Sequence, residues 1–475
     1  MNSISTTLNT DQQNTYHAIT NKLEDIIKTD MVWDNIISLI GAAGTGKTYL
    51  TTKLMEFFLT KKFTVATTTP THKALSVLRK KIENTHIKDH PKLTLCTIHS
   101  FLNIKPVTDY NTGTQKFVID KNSQNTQNVD LLIVDESSMV SMELYKHIID
   151  AIENSRIKAV LFVGDKYQLL PVNDKNQILD KIKNTYELTN IVRQVKDSYI
   201  IKIATKVREM IQQHNYTTLS DFFNSNYEIN MEFFHKKNEF YQDYCKNTDW
   251  IHEDKIITSF RNSEVDTHNR IIRNAYWKSK GYEIDKIEAL KKDDIIVFQD
   301  SYTINEKVLY HNGDIVTITY ARKDYLGALD IYYWCCKSKS GQDFNVVDPK
   351  STKKFEFILS QMAKEAKAEK NYQKRKDLWA TFFQTKGLFA NIKYNFASTM
   401  HKLQGSTYES VYIDLMNLDY LEKTNKDELF RLLYVSLTRA SKNIKILIPN
   451  FNDEDKMKSL EDNIIKHFGS KFLLS

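Results

Sequence analysis

Between Ile36 and Leu59 the chain reads IISLI-GAAGTGKT-YLTTKLMEFFL, a stretch that leaves little choice of fold. Ile36, Ile37, Leu39 and Ile40 form a short apolar run suited to a buried strand. Gly41, Gly44 and Gly46 permit a tight loop whose backbone N–H groups point inward, with Ala42, Ala43 and Thr45 between them. Lys47 and Thr48 complete the spacing G-x-x-x-x-G-K-[ST]. Beyond them Leu50, Leu54, Phe57 and Phe58 recur at helical spacing. Strand, glycine loop and helix in that order make a phosphate cradle, because a helix N-terminus carries partial positive charge and unpaired N–H donors. In such a cradle Lys47 reaches the β- and γ-phosphates and the Thr48 hydroxyl binds Mg²⁺. A glycine-rich structural turn is the plain alternative, and it would not require the flanking strand and helix.

Apolar strands recur at Phe63–Thr68, Leu131–Val134 and Ala159–Val163, separated by helical patterns. This alternation predicts an α/β fold with a mostly parallel sheet, and in such sheets ligands bind beyond the carboxyl ends of the strands. At 475 residues the chain exceeds what one core usually holds. Between Ser100 and Asp130, Pro106, the Asn111–Gly113 turn and alternation around Phe117–Ile119 predict an inserted β-hairpin. A second strand series begins at Ile256–Phe260 and resumes at Val411–Ile413 and Ile444–Ile448. The intervening text from Trp277 to Asn391 is strand-rich at first, as in a small β-barrel, then charged and helical over Glu356–Trp379. The expected division is 1–195, with the hairpin at 100–128; 196–276 joined to 392–475; and an insertion at 277–391.

Composition excludes more than it implies. The net charge of +7 is mild and does not by itself point to nucleic acid. Cys96, Cys245, Cys335 and Cys336 have no zinc-ligand spacing, which fits free thiols in a reducing compartment. The polar start MNSISTTLNTDQQ lacks the regions of a signal peptide, and no apolar run is long enough to span a bilayer, so no membrane partner is expected.

Val129–Glu136 reads VDLLIVDE: an apolar strand that delivers two carboxylates at its carboxyl end. Asp135 is placed to hold Mg²⁺, and Glu136 to orient or deprotonate an attacking water. The run AVLFV ends in Gly164-Asp165-Lys166-Tyr167-Gln168. There Gln168 is positioned to sense a γ-phosphate, while Asp165 suits a turn cap.

These motifs resemble superfamily-one helicases, and within them the RecD/Dda class of 5′-to-3′ DNA helicases. LNTDQQ, GAAGTGKT, TTPTHKAL, CTIHSFLNIKPV, LLIVDESSM, GDKYQLLPV, ELTNIVRQ, ITSFRNSEVDTHNRIIR, NGDIV, ASTMHKLQGST and LLYVSLTRA run in family order from Leu8 to Ala440. The resemblance implies two RecA-like P-loop domains, ATP with Mg²⁺ as cofactors, and single-stranded and forked duplex DNA as partners. It implies an adenine-reading role for Gln12, beside the plainer reading of a helix-start residue. Arg193 and Arg439 resemble the two arginines that reach the γ-phosphate, and Gln404 and Gly405 the loop that couples nucleotide to DNA. A DNA path follows from Pro70-Thr71-His72, from Thr97, His99 and Ser100, and from Thr399 and His401, with Asn262 beside them. Hydroxyl and imidazole groups bind phosphates without a fixed positive charge, so a strand can be gripped and released.

The hairpin resembles the pin that splits the duplex in this class. Phe117 would stack on a base with Pro106 supporting it, or else serve as a hairpin core residue. The NGDIV segment resembles the SH3-like barrel inserted in the second domain, but the later half of this insertion departs from the pattern. The expected activity is ATP-dependent translocation on single-stranded DNA with duplex unwinding, by a monomer alongside a single-strand-binding protein. The expected setting is cytoplasmic, that of a phage-encoded enzyme in its bacterial host. Rival readings are an RNA helicase, a translocase that does not unwind, and a DNA-binding scaffold with an inactive ATPase site.

Overall fold

The computed structural model describes residues 8–29, 35–120, 128–171, 174, 177–190, 199–226, 231–247, 249–305 and 307–449. The first part supplies helices α1 (Thr10–Thr29), α2 (Lys47–Thr60), α3 (His72–Ile82), α4 (Ile98–Phe101) and α5 (Met142–Glu153). Its strands are β1 (Ile36–Gly41), β2 (Val65–Thr69), β3 (Leu93–Thr97), β4 (Ile104–Asp109), β5 (Thr114–Ile119), β6 (Val129–Val134), β7 (Ile157–Gly164) and β8 (Asn184–Leu188). Six of them form one parallel sheet in the order β3-β2-β6-β7-β1-β8, while β4 and β5 pair as an antiparallel hairpin. The strands read as continuous apolar runs because both faces are covered. Leu131 and Ile133 of β6 pack with Leu54 and Phe58 of α2 on one side. Leu132 and Val134 pack with Phe162 and Ile148 on the other.

The second part contributes α6 (Tyr199–Gln213), α7 (Leu219–Asn224), α8 (Lys237–Tyr244) and α9 (Asn262–Ser279), with β9 (Glu232–Phe234) and β10 (Lys255–Ser259). An inserted region then carries β11 (Ile295–Phe298), β12 (Tyr302–Ile304), β13 (Lys307–Tyr310), β14 (Ile315–Leu326), β15 (Ile331–Ser338) and β16 (Asp343–Val347). Helices α10 (Thr352–Ala368) and α11 (Tyr372–Gly387) and strand β17 (Ile392–Tyr394) follow. The chain finishes with β18 (Ala397–Thr399), β19 (Tyr408–Asp414), α12 (Asp419–Thr424), α13 (Lys426–Thr438) and β20 (Ala440–Leu447). A second parallel sheet runs β18-β10-β19-β20-β9, and a separate antiparallel sheet runs β16-β15-β14-β11-β17. Two boundaries differ from the sequence reading. The helix of α9 continues past Trp277 to Ser279. Residues 392–394, expected in the second parallel-sheet region, pair instead with β11, Ile392 opposite Phe298.

One helix holds both ends of the insertion. From α9, the Arg273 guanidinium donates to both Asp294 oxygens at 2.8 and 2.7 Å, and the Trp277 indole N–H adds a third bond at 2.9 Å. At the return, the Asn269 side-chain oxygen accepts the N–H groups of Phe396 and Ala397, each at 2.9 Å. Arg273 and Asp294 are 4% and 3% exposed, so neither charge has water to fall back on. Breaking a buried pair by deleting one partner costs about 3–5 kcal/mol, because a lone buried charge remains. Arg273→Ala is therefore expected to destabilise the insertion by that amount in a urea titration followed by tryptophan fluorescence. An unchanged unfolding curve would show that Asp294 is held by its other donors.

The helical half of the insertion reaches the hairpin. The Trp379 indole N–H of α11 donates to the Tyr110 carbonyl at 3.1 Å. Gly113, at φ +73°, lies so close beneath that ring that an added Cβ would stand 1.9 Å from it. Tyr110 and Tyr372 meet edge to face, ring centres 6.2 Å apart. The hairpin turn falls at 110–113, and the strand that follows ends at Ile119.

Candidate functional site

The first parallel sheet ends at a cleft of about 530 Å³. Gly44, Gly46, Lys47 and Thr48 line it from the loop between β1 and α2, with Asp135 and Glu136 after β6 and Gln168 after β7. Gly405 and Arg439 line it from the second sheet's side. Gly44 and Gly46, both at φ +86°, make the left-handed turns that the loop requires. The Lys47 ammonium donates to the carbonyls of Gly41 at 2.6 Å and Ala42 at 3.0 Å, so it lies across its own loop. Thr45 is fully buried, and its hydroxyl donates to the Ala42 carbonyl at 2.9 Å. The backbone N–H of Ala43 meets the Tyr434 hydroxyl at 3.3 Å.

Asp135 and Glu136 form the acidic end of the cleft. Glu136 takes a left-handed backbone, φ 51°, and its N–H donates to Asp135 Oδ1 at 2.9 Å. Burial, and then the neighbouring Glu136 charge, push the Asp135 carboxyl up to about 6. Two crowded carboxylates, one of them desolvated, together with the Thr48 hydroxyl suit a hard divalent cation. The sign of the pH effect follows. Asp135 titrates higher in the folded than in the unfolded chain, so its burial penalty is absent at low pH and grows as pH rises from about 4 through 6. Without metal or nucleotide, Asp135→Asn is expected to raise the melting temperature at pH 7.5 more than at pH 4.5. In unfolding free energy the two gains should differ by about 2 kcal/mol. Equal shifts at both pH values would refute the buried charge.

Gln12 sits outside this cleft. It is 2% exposed on α1, where its Oε1 accepts the Asn9 N–H at 3.2 Å and Asn9 Oδ1 accepts the Gln12 N–H at 2.8 Å. That reciprocal pair is a capping box, foreshadowed by Asn and Gln three apart in LNTDQQ. Its amide Nε2 also donates to the Thr45 carbonyl at 3.1 Å and so touches the phosphate loop from behind. Arg193 lies outside the described residues. Arg439 is 6% exposed, and its guanidinium donates to the Ser406 and Val435 carbonyls and the Thr438 hydroxyl.

A second cavity of about 360 Å³ runs alongside. Pro70, Thr71 and His72 line it from the first part, Asn262, Thr399 and His401 from the second, and Gln299, Asn312 and Gly313 from the insertion. The His72 imidazole stacks on that of His311 with centres 4.2 Å apart and planes 18° apart. Burial first of all lowers the pKa of His72, His99 and His401, which favours neutral rings at pH 7. Thr71 and Thr97 also cap helices, accepting the N–H groups of Ala74 and Ser100 at 3.2 Å each.

Thr97, His99, Ser100, Pro106 and Phe117 do not line this cavity but stand on the hairpin side. Phe117 is 56% exposed, pairs across the hairpin with Pro106, and lies 5.4 Å from the His99 ring. Lys73, Lys393 and Lys402 were not singled out from sequence, although all three line the channel. Burial, then Arg439 and Lys402, bring Lys73 down to about 8. Its place directly after His72 in PTHKAL was the available signal.

Gln404 and Gly405 tie the two cavities together. Gly405 lines the first, Gln404 the second. The Gln404 amide donates to Gln168 Oε1 at 2.9 Å and to the Ser138 hydroxyl at 3.3 Å. Arg431 of α13 donates to the carbonyls of Lys166 and Gln168, both at 2.9 Å. A phosphate loop, paired carboxylates and an arginine at the end of a helix of the second lobe define a two-lobed P-loop nucleotide hydrolase.

Comparison with known proteins narrows the class. Residues 24–174 match an AAA domain, and residues 394–446 a UvrD-like helicase C-terminal domain. The chain is 28% identical over 515 residues to an uncharacterised protein of Acanthamoeba polyphaga mimivirus, covering 93% of this chain and 99% of the relative. It is 27% identical over 451 residues to the ATP-dependent DNA helicase dda of Enterobacteria phage T4, covering 85% and 92%. A Pif1 helicase, from a structural study of DNA unwinding at forked duplex, has the same fold, with a TM-score of 0.50 at 18% identity and 98% of each chain covered. In sequence the chain is similar to superfamily-one helicases of the Dda/RecD kind.

Proposed function

We propose that this chain is an ATP-driven motor that moves 5′-to-3′ along single-stranded DNA and parts duplex DNA ahead of it. One observation carries the reading: consecutive residues, Gln404 and Gly405, line two different cavities, one built for phosphates and the other for a strand. A shift of this short turn is felt in both. ATP would occupy the first cleft, with Lys47 moving from its loop carbonyls to the β- and γ-phosphates. Mg²⁺, held by Thr48 and Asp135, supplies charge neutralisation on those phosphates when bound. Glu136 orients the attacking water, and Gln168, released from Gln404, reads the γ-phosphate. Arg439 offers a fixed positive charge from the opposite lobe, with Arg193 assigned the companion role.

In the second cavity neutral histidines and hydroxyls grip the backbone, which lets each ATP cycle bias movement. Two RecA-like lobes are joined to an insertion whose antiparallel sheet we read as the SH3-like barrel of this class. The hairpin acts as the pin, and the bond from Trp379 to Tyr110 supports a brace that keeps it rigid.

The deciding experiment compares unwinding of a 5′-tailed DNA duplex with a 3′-tailed one and with RNA duplexes. Preference for the 5′ tail supports the direction; activity on RNA alone would favour the RNA-helicase reading. Lys47→Ala should abolish DNA-stimulated ATP hydrolysis while leaving the circular dichroism and melting temperature unchanged, since the side chain fills no core cavity. Turnover close to wild type would remove Lys47 from the site. For the pin, base stacking on an aromatic ring is worth roughly 1–3 kcal/mol. Opening one base-pair step costs about 1.4 kcal/mol. One ring therefore suffices to offset one step, and Phe117→Ala should slow unwinding far more than ATP hydrolysis. Parallel losses in unwinding, hydrolysis and stability would make Phe117 a packing residue instead.

A further inference from the structure

Helix α13 carries Arg439 at its carboxyl end, and among the described residues that arginine's hydrogen bonds stay within the second lobe. What places the helix against the first lobe lies earlier along it. The Tyr434 hydroxyl donates to Asp165 Oδ2 at 2.8 Å and accepts the Ala43 N–H at 3.3 Å. Asp165 is fully buried, and its other oxygen accepts the Tyr167 N–H at 3.1 Å, so it shapes the turn after β7 while holding the phenol. Three residues before Tyr434, on the same helical face, Arg431 grips two carbonyls of that turn.

Most of α13 from Leu429 onward is core. Leu429, Phe430, Leu432, Leu433, Val435 and Leu437 are at most 1% exposed. At Tyr434, itself 1% exposed, a phenylalanine would satisfy the packing equally well. The hydroxyl is what packing does not require, and it joins the phosphate loop, the turn bearing Gln168 and the helix bearing Arg439. Burial and the neighbouring Asp165 raise the phenol's pKa, so it keeps the proton that it donates.

We infer that Tyr434 is a positioning residue for ATP hydrolysis: its hydroxyl sets the register of α13, and hence of Arg439, against the phosphate loop and the turn after β7. It touches neither nucleotide nor water in this role. Arg439 follows Tyr434 by five residues, about 7.5 Å along a helix. So short and stiff a lever passes a small slip at the hydroxyl on to the guanidinium. The inference rests on the ATPase reading above.

The test is Tyr434→Phe in the full-length protein, with ATP, Mg²⁺ and a single-stranded oligonucleotide, at a temperature well below the variant's melting point. A misplacement of this kind costs about 10- to 100-fold in kcat. KM for ATP should move by less than about threefold, as for an interaction made in the transition state rather than in binding. Asp165→Asn should give a similar loss, and Y434F/D165N should lose much less than the product of the two, because both remove one contact. Unchanged kcat in Y434F, a rise in KM alone, or multiplicative losses in the double variant would each overturn the assignment. A wild-type protein without DNA-stimulated turnover would overturn the ATPase reading, and this inference with it. Wild-type turnover with an unaffected variant overturns the role of Tyr434 alone.

Discussion

The hydrogen bond between Tyr434 and the buried Asp165 carboxylate is the contact through which one half of this molecule feels the other. A carboxylate removed from water must be fully partnered, and Asp165 is satisfied only while a helix of the opposite lobe lies against it. Around that point Gln404 meets Gln168, and Arg431 takes the carbonyls beside it. Every one of these bonds ends on the single turn after β7. Beside the packing of Tyr167 and Leu169 into the second lobe's core, the lobes are thus joined by directional polar contacts that a ligand with better hydrogen-bonding groups can replace. A large apolar interface would hold the lobes together but would not respond to phosphate.

The parallel sheets explain why the chemistry gathers where it does. β1, β6 and β7 are neighbours in one sheet, so the loops after all three open on the same edge. The phosphate loop, the carboxylate pair and the Gln168 turn lie far apart in sequence but leave adjacent strands in the same direction. A parallel arrangement buries both faces of the sheet and leaves its carboxyl edge as the place for polar function.

Much of this was legible from residues acting locally. The run from Ile36 to Leu59 announces strand, loop and helix because each signal lies within a few positions, and VDLLIVDE announces a buried strand with acids at its end. What could not be read depends on partners distant in sequence. Nothing around His72 foretells the stack on His311, and nothing in α11 foretells that Trp379 meets Tyr110. Gln12 shows the opposite case. The capping signal in LNTDQQ is local, and the reading of Gln12 as a helix-start residue agrees with its reciprocal bonds to Asn9. The boundary at 392–394 was missed because a three-residue strand has too little pattern to say which sheet it joins.

The His72–His311 stack has a consequence for how a strand gets in. The two rings belong to different parts of the chain and meet beside the channel, so the insertion closes the channel like the hasp of a box. An aromatic pair is worth about 0.5–1.5 kcal/mol beyond its burial, little more than thermal energy. Opening also requires release of the Trp379–Tyr110 bond; with both undone, a continuous strand can be laid in from the side without a free end to thread. With the His72 ring neutral, it also carries no ionic attraction for salt to screen. Side entry would then keep its rate as ionic strength changes, while the hold of the channel lysines on the strand would not.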